Sequence, residues 1–379
     1  MVFNTVHVVH LEQPTKIEHR TIKYYKCTAE LPFPNYYDGG GGAIPRTNMA
    51  HYFVNNVTDH SFKVCKFDRK VLLVGLTCID IVNNCKEFPK EDGDANVTSQ
   101  LWAVGGNAAN TARVLSQHKN IQVDLFCGLS KKNESQFVID NLKSYGLNLE
   151  YCPLYEEQFP TSCCIINSQN GSRTILHCNH NFPSLKFKDF ERIVNVSSYN
   201  IIHFGGRDLP EVSKMIDHVM KVRGKNKFPI ISGEMEKPKR LTELEALFQP
   251  KCDILIISKD IGRAKGFQNS KETLAYYASL ELNAKILICP WGESGAGYAK
   301  KSDVENTWDI EHVPSFKIED KAIDTLGAGD SFNAGLLYGI LSENSVADCT
   351  KYACFLAKEK CVQDGFKDLL LRINKCDSN

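Results

Sequence analysis

Ile323-Asp324-Thr325-Leu326-Gly327-Ala328-Gly329-Asp330-Ser331-Phe332-Asn333-Ala334-Gly335 runs from a glycine turn straight into an apolar-periodic helix (Phe332, Leu336, Leu337, Ile340). Glycines allow a tight turn, so successive backbone N–H groups converge at the helix N-terminus. Unpaired donors and the helix dipole there hold phosphate. Asp330 ends the turn, where its carboxylate is placed to take a proton from an attacking hydroxyl. Phosphoryl transfer needs this pairing of an anion cradle with a positioned base. A bare Gly-x-Gly-Asp describes a helix-capping Asp equally well; the surrounding residues favour the chemical reading.

Working outward, Ala103-Val104-Gly105-Gly106-Asn107-Ala108-Ala109-Asn110-Thr111-Ala112 opens a second helix after two glycines. Asn107 and Asn110 lie three apart and share a face. Their amides carry donors and acceptors that suit vicinal hydroxyls; a helix start packed tightly on a strand is the plainer alternative. Gly75-Leu-Thr-Cys-Ile-Asp80 reads as a buried strand ending in a carboxylate that can accept from two adjacent hydroxyls or simply cap the strand.

From Lys70 onward, β-branched runs alternate with amphipathic stretches. Strands are expected at 71–77, 123–128, 201–205, 229–232, 253–258 and 285–289, and helices at 137–145, 211–222, 241–248 and 271–282. The alternation predicts an α/β fold with a mostly parallel central sheet flanked by helices. Ligands of such sheets bind beyond the carboxyl ends of the strands. Two segments stand apart, near 81–104 and 158–182. The second carries β-rich runs on either side of Asn170-Gly171, a strong hairpin signal, and the two together suggest a small β-rich lid.

Residues 1–68 show no sustained periodicity and contain Gly39-Gly40-Gly41-Gly42, a flexible connector. They read as a poorly ordered extension ahead of a single domain, 69–379, which is expected to work without them.

Composition narrows the partners. Lysine plus arginine equals aspartate plus glutamate, 45 of each, which gives no electrostatic reason for nucleic acid or a membrane. With 42% hydrophobic residues the chain buries a sizeable core. Fifteen scattered cysteines without a CxxC pair behave as small hydrophobes in a reducing compartment, so a cytoplasmic location is expected. Cys163, Cys164, His177, Cys178 and His180 superficially suggest zinc. Vicinal cysteines on a strand point to opposite faces, however, and no metal site is expected. A nicotinamide-binding fold would place GxGxxG after the first strand; Val74-Gly75-Leu76-Thr77-Cys78 stands there instead.

The two glycine segments and Asp80 occur in the order found in the ribokinase-like (pfkB) carbohydrate kinases, which this chain resembles from about residue 70 to 370. Asp324-Thr325-x-Gly-Ala-Gly-Asp330 is similar to that family's C-terminal signature, and Gly105-Gly106-Asn107-x-x-Asn110 to its N-terminal one. Within the family the chain most resembles the ketohexokinases (hepatic fructokinases). The matching stretches are Pro89-Lys90-Glu91-Asp92, 162–167, 170–175, Glu234-x-Glu-Lys-Pro238, Ser258-Lys-Asp260 and Gly266-Phe-Gln268.

The resemblance implies a ribokinase-like fold and transfer of the γ-phosphoryl group of ATP, bound with Mg2+, to the 1-hydroxyl of a ketose such as D-fructose. It implies that Asp80, Gly106, Asn107 and Asn110 hold the sugar and that Arg173 on the lid reaches ATP phosphate. Gly292, Glu293, Ser294 and Gly295 would line the nucleotide site. Gly327, Ala328 and Gly329 would form the anion hole and Asp330 would be the base. K+ is the monovalent cation to test. A homodimer through interlocked lids is implied too, with Asp92 reaching the partner's site. The chain departs from the family at Ser258–Gly262, which lacks an Asn-x-x-Glu motif, and at Phe316–Lys321 and Cys361–Gly365; none of these changes removes a catalytic group. Another sugar or nucleoside kinase of the same fold, or a catalytically silent sugar-binding paralogue, are the rival readings. Acceptor turnover separates the first, and retention of Asp330 beside an intact Gly327-Ala328-Gly329 speaks against the second.

Overall fold

The computed structural model describes residues 62–66, 68–169, 172–319 and 322–370. The Gly39–Gly42 run, the Asn170-Gly171 turn and the end of the 316–321 departure lie outside them.

Eight strands form the central sheet, in the order β14-β13-β12-β11-β10-β9-β1-β4. These are β1 (Arg69–Val74), β4 (Ile121–Phe126), β9 (Ile201–Gly205), β10 (Ile230–Met235), β11 (Ile254–Ile257), β12 (Ile286–Pro290), β13 (Ala296–Lys301) and β14 (Trp308–Val313). All neighbours run parallel up to β12, after which β13 and β14 finish the sheet antiparallel. The parallel body and its flanking helices match the expected α/β class. The antiparallel edge was not read from the sequence.

The alternation of β1 shows how the layers form. Val71 and Leu73 join a core on one face of the sheet, with helices α1 (Asn107–Leu115), α8 (Ala328–Leu341) and α9 (Val346–Cys361). Leu72 and Val74 join the core on the other, with α4 (Leu209–Arg223), α5 (Leu241–Phe248) and α7 (Ser270–Ala278). A strand buried on both faces must be apolar at every position, as these four are. Three further helices, α2 (Ser135–Ser144), α3 (Phe187–Ile193) and α6 (Lys259–Ala264), complete the helical layers. The short pair β5 (Leu129–Ser130) and β6 (Leu154–Tyr155) stands beside the main sheet.

The lid is a separate four-stranded sheet, ordered β3-β2-β7-β8, from β2 (Cys78–Cys85), β3 (Ser99–Gly105), β7 (Thr161–Asn167) and β8 (Arg173–Cys178). Here one expectation is corrected. Asp80 does not end the first strand of the main sheet: β1 stops at Val74, the chain bends at Gly75, and Asp80 lies inside lid strand β2. A continuous apolar run hides such a bend, because a strand leaving one sheet for another keeps the same residue types. The register puts Ala103, Asp80, Ser162 and His177 in one cross-strand row. The next row, Trp102, Ile81, Cys163 and Leu176, necessarily points to the opposite face.

The boundary of the N-terminal extension is also corrected. Residues 62–66 belong to the body: Phe62 and Cys65 are buried, and the Phe62 ring lies 5.0 Å from that of Tyr352. The Cys65 N–H donates to Tyr338 Oη at 3.2 Å, and Asn344 exchanges two hydrogen bonds with Lys63. Five residues are too few to show a period, so the sequence alone gave no sign of this docking. Among the described residues no helix is long and apolar enough to cross a membrane.

Candidate active site

The carboxyl ends of β1, β9 and β10, the start of α1, the start of α8 and the inner face of the lid converge on one cleft. Asp330 occupies the third position of α8, half-buried on the cleft floor. Gly327 caps this helix with φ 77°, a left-handed conformation that favours glycine. A Cβ added there would also sit 2.2 Å from the Phe366 ring. The turn thus requires glycine on two counts. Helix geometry leaves the first N–H groups of α8 without intrahelical acceptors. Ala328 N–H is taken by the Thr325 carbonyl at 3.3 Å, so those of Gly329 and Asp330 are the ones facing outward for an anion.

Asn110 Nδ2 donates to Asp330 Oδ2 at 2.7 Å, joining two residues 220 positions apart. Its orientation is fixed from behind, since buried Arg113 donates to Asn110 Oδ1 and to the Val104 carbonyl. With its oxygen occupied by the guanidinium, the Asn110 amide must turn its NH2 to Asp330. Asn110 therefore positions the carboxylate directly, a role additional to the sugar contact expected for it. Arg113 was missed in the sequence, where it looks like any basic residue in the last turn of a helix.

Asn107 sits where two glycines make room. A Cβ on Gly205 would lie 2.8 Å from its Nδ2, and one on Gly75 3.4 Å from its Oδ1. Gly105 gives the same clearance to Asp80, whose Oδ2 would be 2.0 Å from an added Cβ. Gly106, at φ 97°, passes the chain from β3 into α1. Asp80 thus lies against Gly105, two residues ahead of Asn107 in the chain.

Burial chiefly raises the Asp330 carboxyl to about 7, with the Glu236 and Asp80 charges adding and the Asn110 hydrogen bond and Arg113 opposing. Glu234, at the end of β10, is pushed to about 8 by burial first and then by Glu236 and Asp330. Asn333 and Asn107 oppose that rise: Oε1 accepts from Asn333 Nδ2 at 2.9 Å, while the buried Oε2 makes no well-formed hydrogen bond. In the sequence Glu234 stands out only as part of the stretch Glu234-x-Glu-Lys-Pro238. An unpaired buried oxygen among like charges is what a bound cation would satisfy. Among the described residues no group of three or more His, Cys, Asp or Glu could hold a metal alone. The arrangement therefore suits Mg2+, which is commonly held by one or two carboxylates together with substrate phosphates.

The loop ahead of Gly327 is framed by an ion pair from buried Lys360 Nζ to half-buried Asp324 Oδ2 at 2.6 Å, with the Asp324 carbonyl also accepting at 3.0 Å. Leu326 N–H and Gly365 N–H donate to the same carboxylate. The 361–365 departure noted in the sequence therefore lies against this loop. Arg173 reaches it from the lid, donating to Thr325 Oγ1 at 3.3 Å. The Gly292–Gly295 turn lies at the end of β12, with Gly292 and Gly295 at positive φ and Lys259 alongside. It occupies the same carboxyl edge of the sheet, but no hydrogen bond among the described residues ties it to the Asp330 loop.

Residues 68–369 match the family described as pfkB family carbohydrate kinase. The chain is 32% identical over 307 residues to ketohexokinase of Mus musculus, spanning 80% of this chain and 99% of that protein. Among solved structures, ribokinase of Giardia lamblia superposes with TM-score 0.67 at 14% identity, covering 82% of this chain and 98% of that one. A probable sugar kinase from Rhizobium etli gives 0.66 at 20% identity, covering 83% and 99%. At such identities the two structures speak for the ribokinase-like fold.

Proposed function

The chain belongs to the pfkB family of carbohydrate kinases, phosphotransferases that act on a sugar hydroxyl, and on that premise we propose that it phosphorylates the 1-hydroxyl of a ketohexose, D-fructose, from ATP. The observation that carries this reading is Asp330, held by Asn110 and placed one helical turn or less from the outward N–H groups of Gly329 and Asp330 itself. A hydroxyl delivered to that carboxylate lies beside an anion cradle.

Asp330 takes the proton as the hydroxyl oxygen attacks the γ-phosphorus and ADP leaves; the outward N–H groups of Gly329 and Asp330, in the Gly327-Ala328-Gly329 turn, and the helix dipole stabilise the phosphoryl oxygens. Arg173 brings the lid over the phosphates, where a guanidinium fork suits the task. Asp80 and Asn107 orient the sugar. The Gly292–Gly295 turn lines the nucleotide side. Glu234 would hold the Mg2+ that accompanies ATP, and the ion would supply positive charge to the phosphates. Turning over a panel of fructose, ribose and adenosine with ATP, magnesium and potassium tests the assignment. Fructose should give the highest kcat/KM, and ADP release with ribose or adenosine alone would replace the ketose reading with one of its rivals.

A pH dependence follows from the raised carboxyl. Only ionised Asp330 accepts a proton, so kcat/KM should fall as pH drops through about 7. Glu236 adds to that rise, so Glu236→Gln should move the midpoint to lower pH. A profile flat from pH 6 to 8 would remove Asp330 as the base.

What supports a homodimer is the outer face of the lid. Trp102 and Leu176, in the row with Ile81 and Cys163, are 53% and 58% exposed, an apolar strip suited to the lid of a second copy. Sedimentation equilibrium should read a dimer, converted to monomer by Trp102→Asp with Leu176→Asp; a wild-type monomer removes the clasp.

A further inference from the structure

A second cavity, of about 260 Å³, lies between the ends of β1 and β9, the start of α4 and the base of the lid. Gly75 and Gly205 line it, the same two glycines that seat the Asn107 amide, so it opens beside the acceptor half of the cleft. None of Asp80, Gly106, Asn107, Asn110 or Asp330 is part of its wall. It continues the sugar position without repeating it.

Two charged side chains from one corner, Arg207 and Asp208, line this space, with His177 entering from lid strand β8. Among the described residues neither Arg207 nor Asp208 has an ion pair or a side-chain hydrogen bond, and Asp208 precedes α4 without capping it. Burial first, then the Lys237 and Arg207 charges, hold the His177 imidazole below its usual range, so the Arg207 charge is felt on the lid side of the cavity. A guanidinium only donates and a carboxylate only accepts. Adjacent and unpaired, they meet both needs of a hydroxyl, while Leu76, Phe182 and Val212 offer apolar wall to the C–H faces of a carbon chain. An anionic chain end would meet Asp208 as closely as Arg207; the balanced pair fits a neutral one.

We propose that this cavity is the second compartment of the acceptor site, holding the far, polyhydroxylated end of the sugar, and that Arg207 and Asp208 set the acceptor length the protein prefers. The proposal rests on the kinase reading above, and its test separates the two. Steady-state kinetics would compare fructose with dihydroxyacetone, which carries the same ketol group but is too short to enter the cavity. The ratio of kcat/KM for fructose over dihydroxyacetone should fall at least ~10-fold in Arg207→Gln and in Asp208→Asn, through KM, as expected for a lost hydrogen bond to substrate. An unchanged ratio in both variants overturns the proposal, because a general structural defect lowers both acceptors together. A wild-type preference for fructose 6-phosphate over fructose, lost in Arg207→Gln, also overturns it and makes the cavity an anion site. Should the wild type turn over no acceptor, the kinase reading fails by itself. Calorimetry of fructose binding then decides the cavity: ~10-fold weaker binding to Arg207→Gln supports it, and equal binding overturns it.

Discussion

Asp330→Asn is expected to lower kcat by about 10²–10⁴-fold, the usual scale for loss of a positioned base, with fructose binding largely kept. An asparagine side chain has the same shape and still presents an oxygen to Asn110 Nδ2, so the 2.7 Å contact and the start of α8 have no reason to move. What disappears is the group that can take a proton. The stability signature is distinctive. Folding raises the Asp330 carboxyl from 3.8 to about 7, so its ionised form is disfavoured in the native state and burdens stability increasingly as pH climbs above about 4. Neutralising the position should therefore leave the melting temperature at pH 8 equal to or above that of the wild type. A variant both inactive and markedly less stable would show that Asp330 holds the fold; retained turnover would show that another group is the base.

Asp324→Ala is expected to be the most destabilising single change in the loop leading to Gly327. Lys360 is fully buried, and its ammonium has the Asp324 carboxylate and carbonyl as hydrogen-bond partners. Removing one member of a buried pair leaves an uncompensated charge, at a cost of about 3–5 kcal/mol. The same carboxylate accepts from Leu326 and Gly365, so the loop entering Gly327 loses its frame as well. A shift of about 1 Å at a reacting group can cost ~10²-fold in rate, and a loss of that order should accompany the fall in stability. Pairing Asp324→Asn with Lys360→Met removes the buried charge and should recover much of the stability, measured by denaturant unfolding, but not all of the rate. A change of less than about 0.5 kcal/mol in Asp324→Ala, the range of ordinary surface substitutions, would mean that the ion pair does not frame the loop.

The apolar runs of β1 (from Val71) and β11 were legible in the sequence because parallel strands buried on both faces leave an unbroken apolar signal. Gly105-Gly106-Asn107 and Gly327-Ala328-Gly329-Asp330 were legible for another reason: close approach or positive φ restricts Gly105, Gly106 and Gly327 to glycine, and the structure shows Asp80 and Phe366 in the spaces a Cβ on Gly105 or Gly327 would fill. What stayed hidden depends on distant pairing. Arg113 and Lys360 look like solvated helix charges until Asn110 and Asp324 are seen against them. Glu234 is an ordinary strand-end carboxylate until burial and Glu236 are taken together. The switch of the chain from β1 into the lid, and the docking of Phe62 onto Tyr352, leave no periodic trace at all.

On the proposed function, a sugar hydroxyl and a nucleotide phosphate meet at Asp330. A crystal structure with fructose, magnesium and a non-hydrolysable ATP analogue tests it most directly. One ketose hydroxyl is expected about 2.6–3.2 Å from the Asp330 carboxylate, the reach of a general base, with the terminal phosphate against the backbone of Gly327 to Asp330. Fructose bound away from Asp330, or a phosphate chain that bypasses the glycine turn, would contradict it.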